Sequence, residues 1–204
     1  MSIGLRSLIL LAAGAITCSF SCAQSLAVGV IGGVRGTDDL TGGAANSVSK
    51  RYAFGPQANI GLPFGFGIEV DALYRRQGYR ASAFYSGEFD EHANSWEFPM
   101  LLKYRLRFPL VKPFLEAGYA PRVIHGTEHY YTNGTSVTTS YPASQGIVVG
   151  GGVEVAIGRL RLSPAVRYTR WNNAPIMVYF GDGPEALSSQ NQLDILLGVA
   201  WKIH

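Results

Sequence analysis

Cysteine and charge are both scarce in this chain. Its 204 residues include only two cysteines, and Asp, Glu, Lys and Arg together make up 15%, against about 25% in ordinary soluble domains. Beyond the N-terminus there is also no apolar run approaching the roughly 20 residues that a membrane helix needs, which excludes a helical membrane protein. What stands in place of the missing charge excludes disorder: 47% of the residues are hydrophobic, 12% are aromatic and 25 are glycine. The formal net charge of +3 is too small to imply a polyanionic partner. No phosphate-cradling glycine motif, metal-spaced histidine pair or basic stripe is present, so cofactor, nucleotide and nucleic-acid binding have no footing. The length suits one domain. Two classes remain, an unusually apolar soluble β-protein and a β-barrel in a membrane.

The N-terminus carries Arg6, an apolar stretch over residues 8–16, and the small residues Ser21, Cys22 and Ala23. That order reads as a secretory leader, residues 1–23, removed after Ala23 to leave a domain of residues 24–204. Cys18 and Cys22 both leave with the leader. A mature chain without thiols excludes disulfide scaffolds, thiol catalysis and cysteine metal sites, and suits an oxidising compartment.

From residue 24 onward the apolar residues alternate with period two, as strands with two unlike faces do. Leu193, Ile195, Leu197, Val199, Trp201 and Ile203 share one parity; Gln192, Asp194, Gly198, Ala200 and Lys202 share the other. Trp96, Phe98, Met100, Leu102, Tyr104, Leu106 and Phe108 repeat the pattern. Segments near 25–35, 51–62, 66–79, 95–108, 113–125, 145–157, 160–171 and 191–203 predict eight strands. Several approach or exceed the 9 to 11 residues that cross a bilayer at a tilt. Their connections alternate between tight turns and long loops near 36–50, 80–94, 126–144 and 172–190, as in a barrel with short periplasmic turns and long extracellular loops. Asn133-Gly134 predicts a two-residue hairpin turn in the third long loop. Pro56, Pro99, Pro121 and Pro164 fall inside predicted strands, where each removes a ladder donor and calls for a local irregularity.

The composition of the two parities says which is inside. The polar parity is rich in glycine and alanine, which suit the narrow lumen of an eight-stranded wall. Among them stand Glu69, Asp71, Arg75, Glu97, Lys103, Arg105, Glu116, Arg122, Glu154, Arg167 and Asp194, charges of both signs that must pair if buried. The apolar parity holds no Asp, Glu or Lys across the band, and its two arginines, Arg76 and Arg170, sit at the extracellular strand ends, where depth costs least. Aromatic residues collect at two rims: Tyr52, Phe54, Tyr74, Trp96, Phe98 and Tyr168 at one, Phe64, Phe66, Phe108, Phe114 and Trp201 at the other.

The leader, the eight alternating segments, the run over residues 96–107 and the ending Trp201, Lys202, Ile203, His204 resemble the small outer-membrane β-barrel proteins of the OmpA/OmpX-like and porin-like type. The resemblance covers residues 24–204. It implies an all-β, eight-stranded antiparallel up-and-down transmembrane barrel in the outer membrane of a Gram-negative-type bacterium, in contact with outer-membrane lipid and lipopolysaccharide, and handled by the barrel-assembly machinery during biogenesis. Members commonly end on an aromatic residue; this chain ends its apolar parity at Ile203, with His204 following.

Candidates for chemistry are few. His125, Thr127 and Glu128 lie at the top of the fifth strand, where barrel-type lipid A deacylases carry a His and Ser with a Glu. With threonine for serine and no matching motif in order, a solvent-facing rim histidine is the preferred explanation. Glu88, Asp90, Glu91 and His92, and separately Asp38 and Asp39, read as solvated loop charges ahead of cation sites. Arg76 and Arg170 are candidates for lipopolysaccharide phosphates. Ile176, Met177, Val178, Tyr179 and Phe180 form an apolar run in the fourth long loop, a candidate patch for an extracellular surface partner. The reading favoured is a non-enzymatic barrel with a plugged polar interior, serving envelope integrity or adhesion through its loops. The alternatives are a narrow pore for ions or small solutes and a lipid A-modifying enzyme.

Overall fold

A computed structural model describes residues 25–38, 40–41, 46–47, 49–83, 87–106, 108–130, 135–140, 143–174, 177–180 and 183–203. The expected leader, residues 1–23, lies outside these. The chain forms eight wall strands: β1 (Ser25–Arg35), β2 (Tyr52–Gly61), β3 (Phe66–Asp71 continued by Leu73–Ala83), β4 (Gly87–Glu97 continued by Met100–Arg105), β5 (Val111–Tyr130), β6 (Ser144–Ile157), β7 (Leu160–Trp171) and β8 (Asn191–Lys202). Each pairs antiparallel with its sequence neighbours, and β8 pairs with β1 from Ala27↔Lys202 to Arg35↔Asp194, so the sheet closes on itself. Closure removes every free edge from the wall.

The short turns follow local chemistry. The first, Pro63–Gly65, is a single 3-10 turn in which Phe64 and Gly65 both take positive φ, and the third turns on Gly158 at φ 63°. Glycine adopts that conformation without steric cost.

Period two then sorts the wall. Ile68 is 41% exposed and its neighbour Glu69 is 0% exposed. The outer face is a continuous apolar sheet, far beyond the few hundred Å² that a soluble monomer exposes, and the buried parity fills the lumen.

The prolines sit in register. The amide of Ala72 donates to Pro56 O at 3.1 Å, that of Asp71 to Pro99 O at 3.0 Å and that of Phe98 to Pro121 O at 2.9 Å. Proline cannot return these bonds. The pairing sums on either side of each site are unchanged, so the ladder runs through without a shifted register.

Two long loops are largely strand. Residues 80–83 and 87–94 belong to the β3–β4 hairpin, paired from Leu73↔Glu97 to Ala83↔Gly87, and β5 continues to Tyr130, where Thr135–Ser140 pairs back onto it. Tyr130 pairs with Thr135, and the expected turn residues Asn133 and Gly134 lie outside the described residues. The 20 residues of β5 extend roughly 66 Å at about 3.3 Å each, twice a hydrocarbon core of about 30 Å. The wall therefore continues well past the apolar band. In the sequence both parities of that stretch are mostly polar, which erases the alternation that marks strands elsewhere.

Candidate functional site

The lumen is filled by side chains in tiers. In the central tier Arg167 reaches three carboxylates: Nε lies 2.5 Å from Glu116 Oε1, Nη1 lies 2.5 Å from Asp71 Oδ2, and Nη2 pairs with Glu69 Oε1. Lys103 Nζ bridges Glu69 at 2.5 Å and Glu116 at 3.3 Å, and lies 3.9 Å from the centre of the Phe114 ring. Towards the short-turn end, Asn59 donates to Glu69 at 2.7 Å and accepts from Arg105 at 2.6 Å. Arg105 in turn donates to Glu154 Oε2 at 2.8 Å.

The tier towards the loops is built on Arg75, which pairs with Glu97 at 3.0 Å and Asp194 at 2.7 Å. Gln192 donates to both carboxylates, at 3.2 and 2.8 Å, and accepts the Trp171 indole N–H at 2.9 Å. Arg122 stacks over Trp171 at 3.9 Å and donates to Ser144. All the charges that sequence parity assigns to the lumen are buried, and each of them engages a partner.

Sequence reasoning missed several lumen residues. Arg35, Gln57, Asn59 and Gln77 are buried with the charges, and each shares their parity, which was the available signal. Phe114 is a correction: it is 2% exposed, inside the lumen on the parity of Glu116, rather than part of the short-turn aromatic rim. Its ring covers the Lys103 ammonium, a favourable place for a cation. An apolar layer was also missed. Ile31, Leu73 and Leu196 form one buried cluster, and Leu101, Ala120, Val148 and Trp171 another. Leu73 stands between Asp71 and Arg75, and Ala120 directly precedes the outward Pro121 and inward Arg122. The apolar layer thus lies between the central and loop-side tiers.

On the outer face, the loop-side rim carries an aromatic chain across three strands. Successive ring centres of Tyr52, Phe54, Tyr74, Trp96 and Phe98 lie 6.0, 5.7, 5.3 and 6.4 Å apart. Arg76 and Arg170 are both exposed at this end and occupy like settings. Tyr74 donates to Asn94, the cross-strand partner of Arg76, at 2.7 Å. Tyr168 donates to Asn191 at 2.7 Å, and Arg170 donates to the same oxygen at 2.5 Å.

The remaining candidates are dispersed. Met177–Phe180 pairs with Gly183–Ser188, which pairs with Leu40–Thr41, so most of the apolar run forms a small three-stranded sheet with the first loop. Ile176 lies outside the described residues. Glu88, Asp90, Glu91 and His92 are on the β3–β4 hairpin instead of a loop, with Asp90 opposite Arg80. Asp38 pairs with Arg51 at 2.9 Å in an exposed bridge, and Asp39 lies outside the described residues. His125 is exposed, opposite Asn94 and Ser140. The side chains of Thr127 and Glu128 are outside the described set. Among the described residues no cluster of His, Cys, Asp and Glu is arranged to hold a metal ion.

No family model and no curated protein sequence matches the chain. Solved structures do. The outer membrane protein OprG from Pseudomonas aeruginosa aligns over 89% of this chain and 97% of its own at 13% identity, with a TM-score of 0.61. A major outer membrane protein from Thermus thermophilus aligns over 88% and 98% at 12% identity, with a TM-score of 0.56. At such identities the likeness speaks for the fold, and the closed ring, the apolar outer face and the filled lumen agree with it: the chain is a closed eight-stranded antiparallel barrel with the fold of small outer-membrane β-barrel proteins.

Proposed function

We propose that the protein is an outer-membrane barrel with a plugged lumen, which anchors a raised extracellular end for envelope integrity or contact with another surface. Residues 1–23 direct its export, and the barrel-assembly machinery inserts it. The observation that carries this reading is the interior: paired charges stand on either side of a buried apolar layer that includes Ile31, Leu73 and Leu196. Eight strands enclose little more than their own side chains, whereas water-filled porins use about 16. The narrow-pore reading requires that layer to part. In planar bilayers the refolded protein should give no stable single-channel steps; reproducible steps would overturn the plug.

The raised end also offers a lipid contact. Arg76 and Arg170, each beside a tyrosine and an asparagine at the aromatic rim, suit the phosphates of lipopolysaccharide, for which charge-assisted arginine bonds are fitted. The double variant Arg76→Ala/Arg170→Ala should assemble normally and bind lipopolysaccharide about tenfold or more weakly, since such bonds contribute roughly 1.5–3 kcal/mol each. Undiminished binding removes the arginines from that role. The small sheet containing Met177–Phe180 is the adhesion candidate, and cells displaying a barrel without those residues should lose attachment to a partner surface if it acts so.

A further inference from the structure

At the short-turn end the wall opens into a cavity of about 660 Å³, within the roughly 300–1,000 Å³ of small-molecule sites. Its lining is of two kinds. Arg105, Lys112 and Arg161 face it with the single carboxylate Glu154, while Leu106 and Phe108 belong to its lip. Both of these apolar side chains are exposed on the outer face, so the lip joins the apolar band to a cationic floor.

The charge pairing leaves a surplus. Glu154 Oε2 accepts from Arg105 at 2.8 Å, and Glu154 Oε1 lies 3.6 Å from Arg161 Nη1. Lys112 sits directly across the strand pair from Glu154, yet both oxygens of that carboxylate are already engaged. Lys112 is thus a half-buried ammonium with no carboxylate partner among the described residues. Arg105 is held in place by Asn59 and Glu154 and passes beside Gly67, where any Cβ would collide with its Nη1. Arg105 is therefore pre-positioned, and the lining carries an excess of positive charge, three cations against the one carboxylate of Glu154.

We propose that this cavity binds a phosphate-bearing anion, seated between Lys112 and Arg161, with its apolar portion along Leu106 and Phe108. Ammonium and guanidinium groups on the two strands that flank Glu154 suit phosphate oxygens. The apolar lip, at the level where acyl chains begin, fits an anionic glycerophospholipid of the periplasmic leaflet better than a free ion. This assignment rests on the outer-membrane reading of the barrel.

The test uses the refolded full-length barrel in detergent, first checked for the heat-modifiable gel band of a folded barrel. Native mass spectrometry then compares retention of phosphatidylglycerol with that of phosphatidylcholine carrying the same acyl chains, with inorganic phosphate added as a competitor. Selective retention of phosphatidylglycerol is expected, reduced about tenfold or more in Lys112→Gln/Arg161→Gln and unchanged in Arg51→Gln, whose exposed bridge to Asp38 lies at the loop end. Displacement by millimolar inorganic phosphate would support the anion site and assign it to the free ion. Equal retention of both lipids by a folded barrel without phosphate binding, or full retention by the Lys112/Arg161 variant, overturns the site alone. Absence of the folded band overturns the barrel reading beneath it.

Discussion

Ile68 and Glu69 are joined by one peptide bond and live in opposite surroundings. Ile68 is 41% exposed on the outer face, while Glu69 is fully buried, held by Lys103, Arg167 and Asn59. The same inversion repeats around the wall: apolar side chains outward, charges inward. In a soluble β-barrel hydrophobic burial would fill the core and charges would meet water. Here the lumen must be stabilised by ion pairs and hydrogen bonds, and the outer face depends on a surrounding apolar phase. The two faces should consequently fail in different ways when altered.

The interior should fail most. Replacing Arg167 by Met leaves Glu69, Asp71 and Glu116 with Lys103 as their only cation in that tier. Removing one partner of a buried pair costs about 3–5 kcal/mol because the remaining charge stays desolvated. The urea-unfolding midpoint of the refolded barrel in lipid vesicles should fall accordingly. A loss below about 1 kcal/mol, the range of solvated pairs, would mean that water reaches this tier and that the lumen is less different from a surface than its burial implies.

The outer face should respond to the opposite change. Leu197, in the middle of β8 and 49% exposed, lies between the rim residue Asn191 and Trp201. Leu197→Arg should cost about 2–4 kcal/mol in bilayers, the range for a cation at mid-depth, whereas arginine near an interface costs about 0–1. Arg170, hydrogen-bonded to Asn191 at the strand end, is the native example of the cheaper placement. If Leu197→Arg unfolds at the same urea concentration as the parent, the band does not face lipid.

How much of this was legible follows from what a pattern with period two can carry. Alternation fixes which face a residue takes once one neighbour is assigned, so the strand number, the antiparallel closure and the inward parity of Glu69, Asp71, Glu97 and Glu116 are all local information. It carries nothing about stagger between strands. That Arg167 on β7 meets Glu69 and Asp71 on β3 and Glu116 on β5 across the lumen depends on tilt and register, which no single strand encodes. The size of Phe114 suggests the rim, although its parity matches Glu116 and places it inside. The extensions of β3, β4 and β5 read as loops in the sequence because polar residues stand at both parities there, which removes the alternation. The cationic cavity is hidden for a third reason: Lys112, Glu154 and Arg161 are ordinary residues separately, and the surplus arises only when two arginines occupy the one carboxylate.

The backbone offers the smallest and finest separation of the two faces. Pro56 is exposed on the outer face, so its ring meets the surrounding phase, while its missing N–H affects only the ladder. Ala72 donates to Pro56 O at 3.1 Å, and nothing can be returned. Pro56→Ala would supply the reciprocal donor, a gain of about 0.5–1.5 kcal/mol. It would also release the unfolded chain from a restriction that contributes roughly 0.4–1 kcal/mol. The two nearly cancel, so the unfolding free energy should change by less than about 1 kcal/mol, with a protected amide at residue 56 and slower exchange at Ala72. A clear loss of stability would mean that the ring itself packs usefully on the outer face. That face would then depend on specific contacts, as the lumen does, and the contrast between the two would narrow to one of polarity alone.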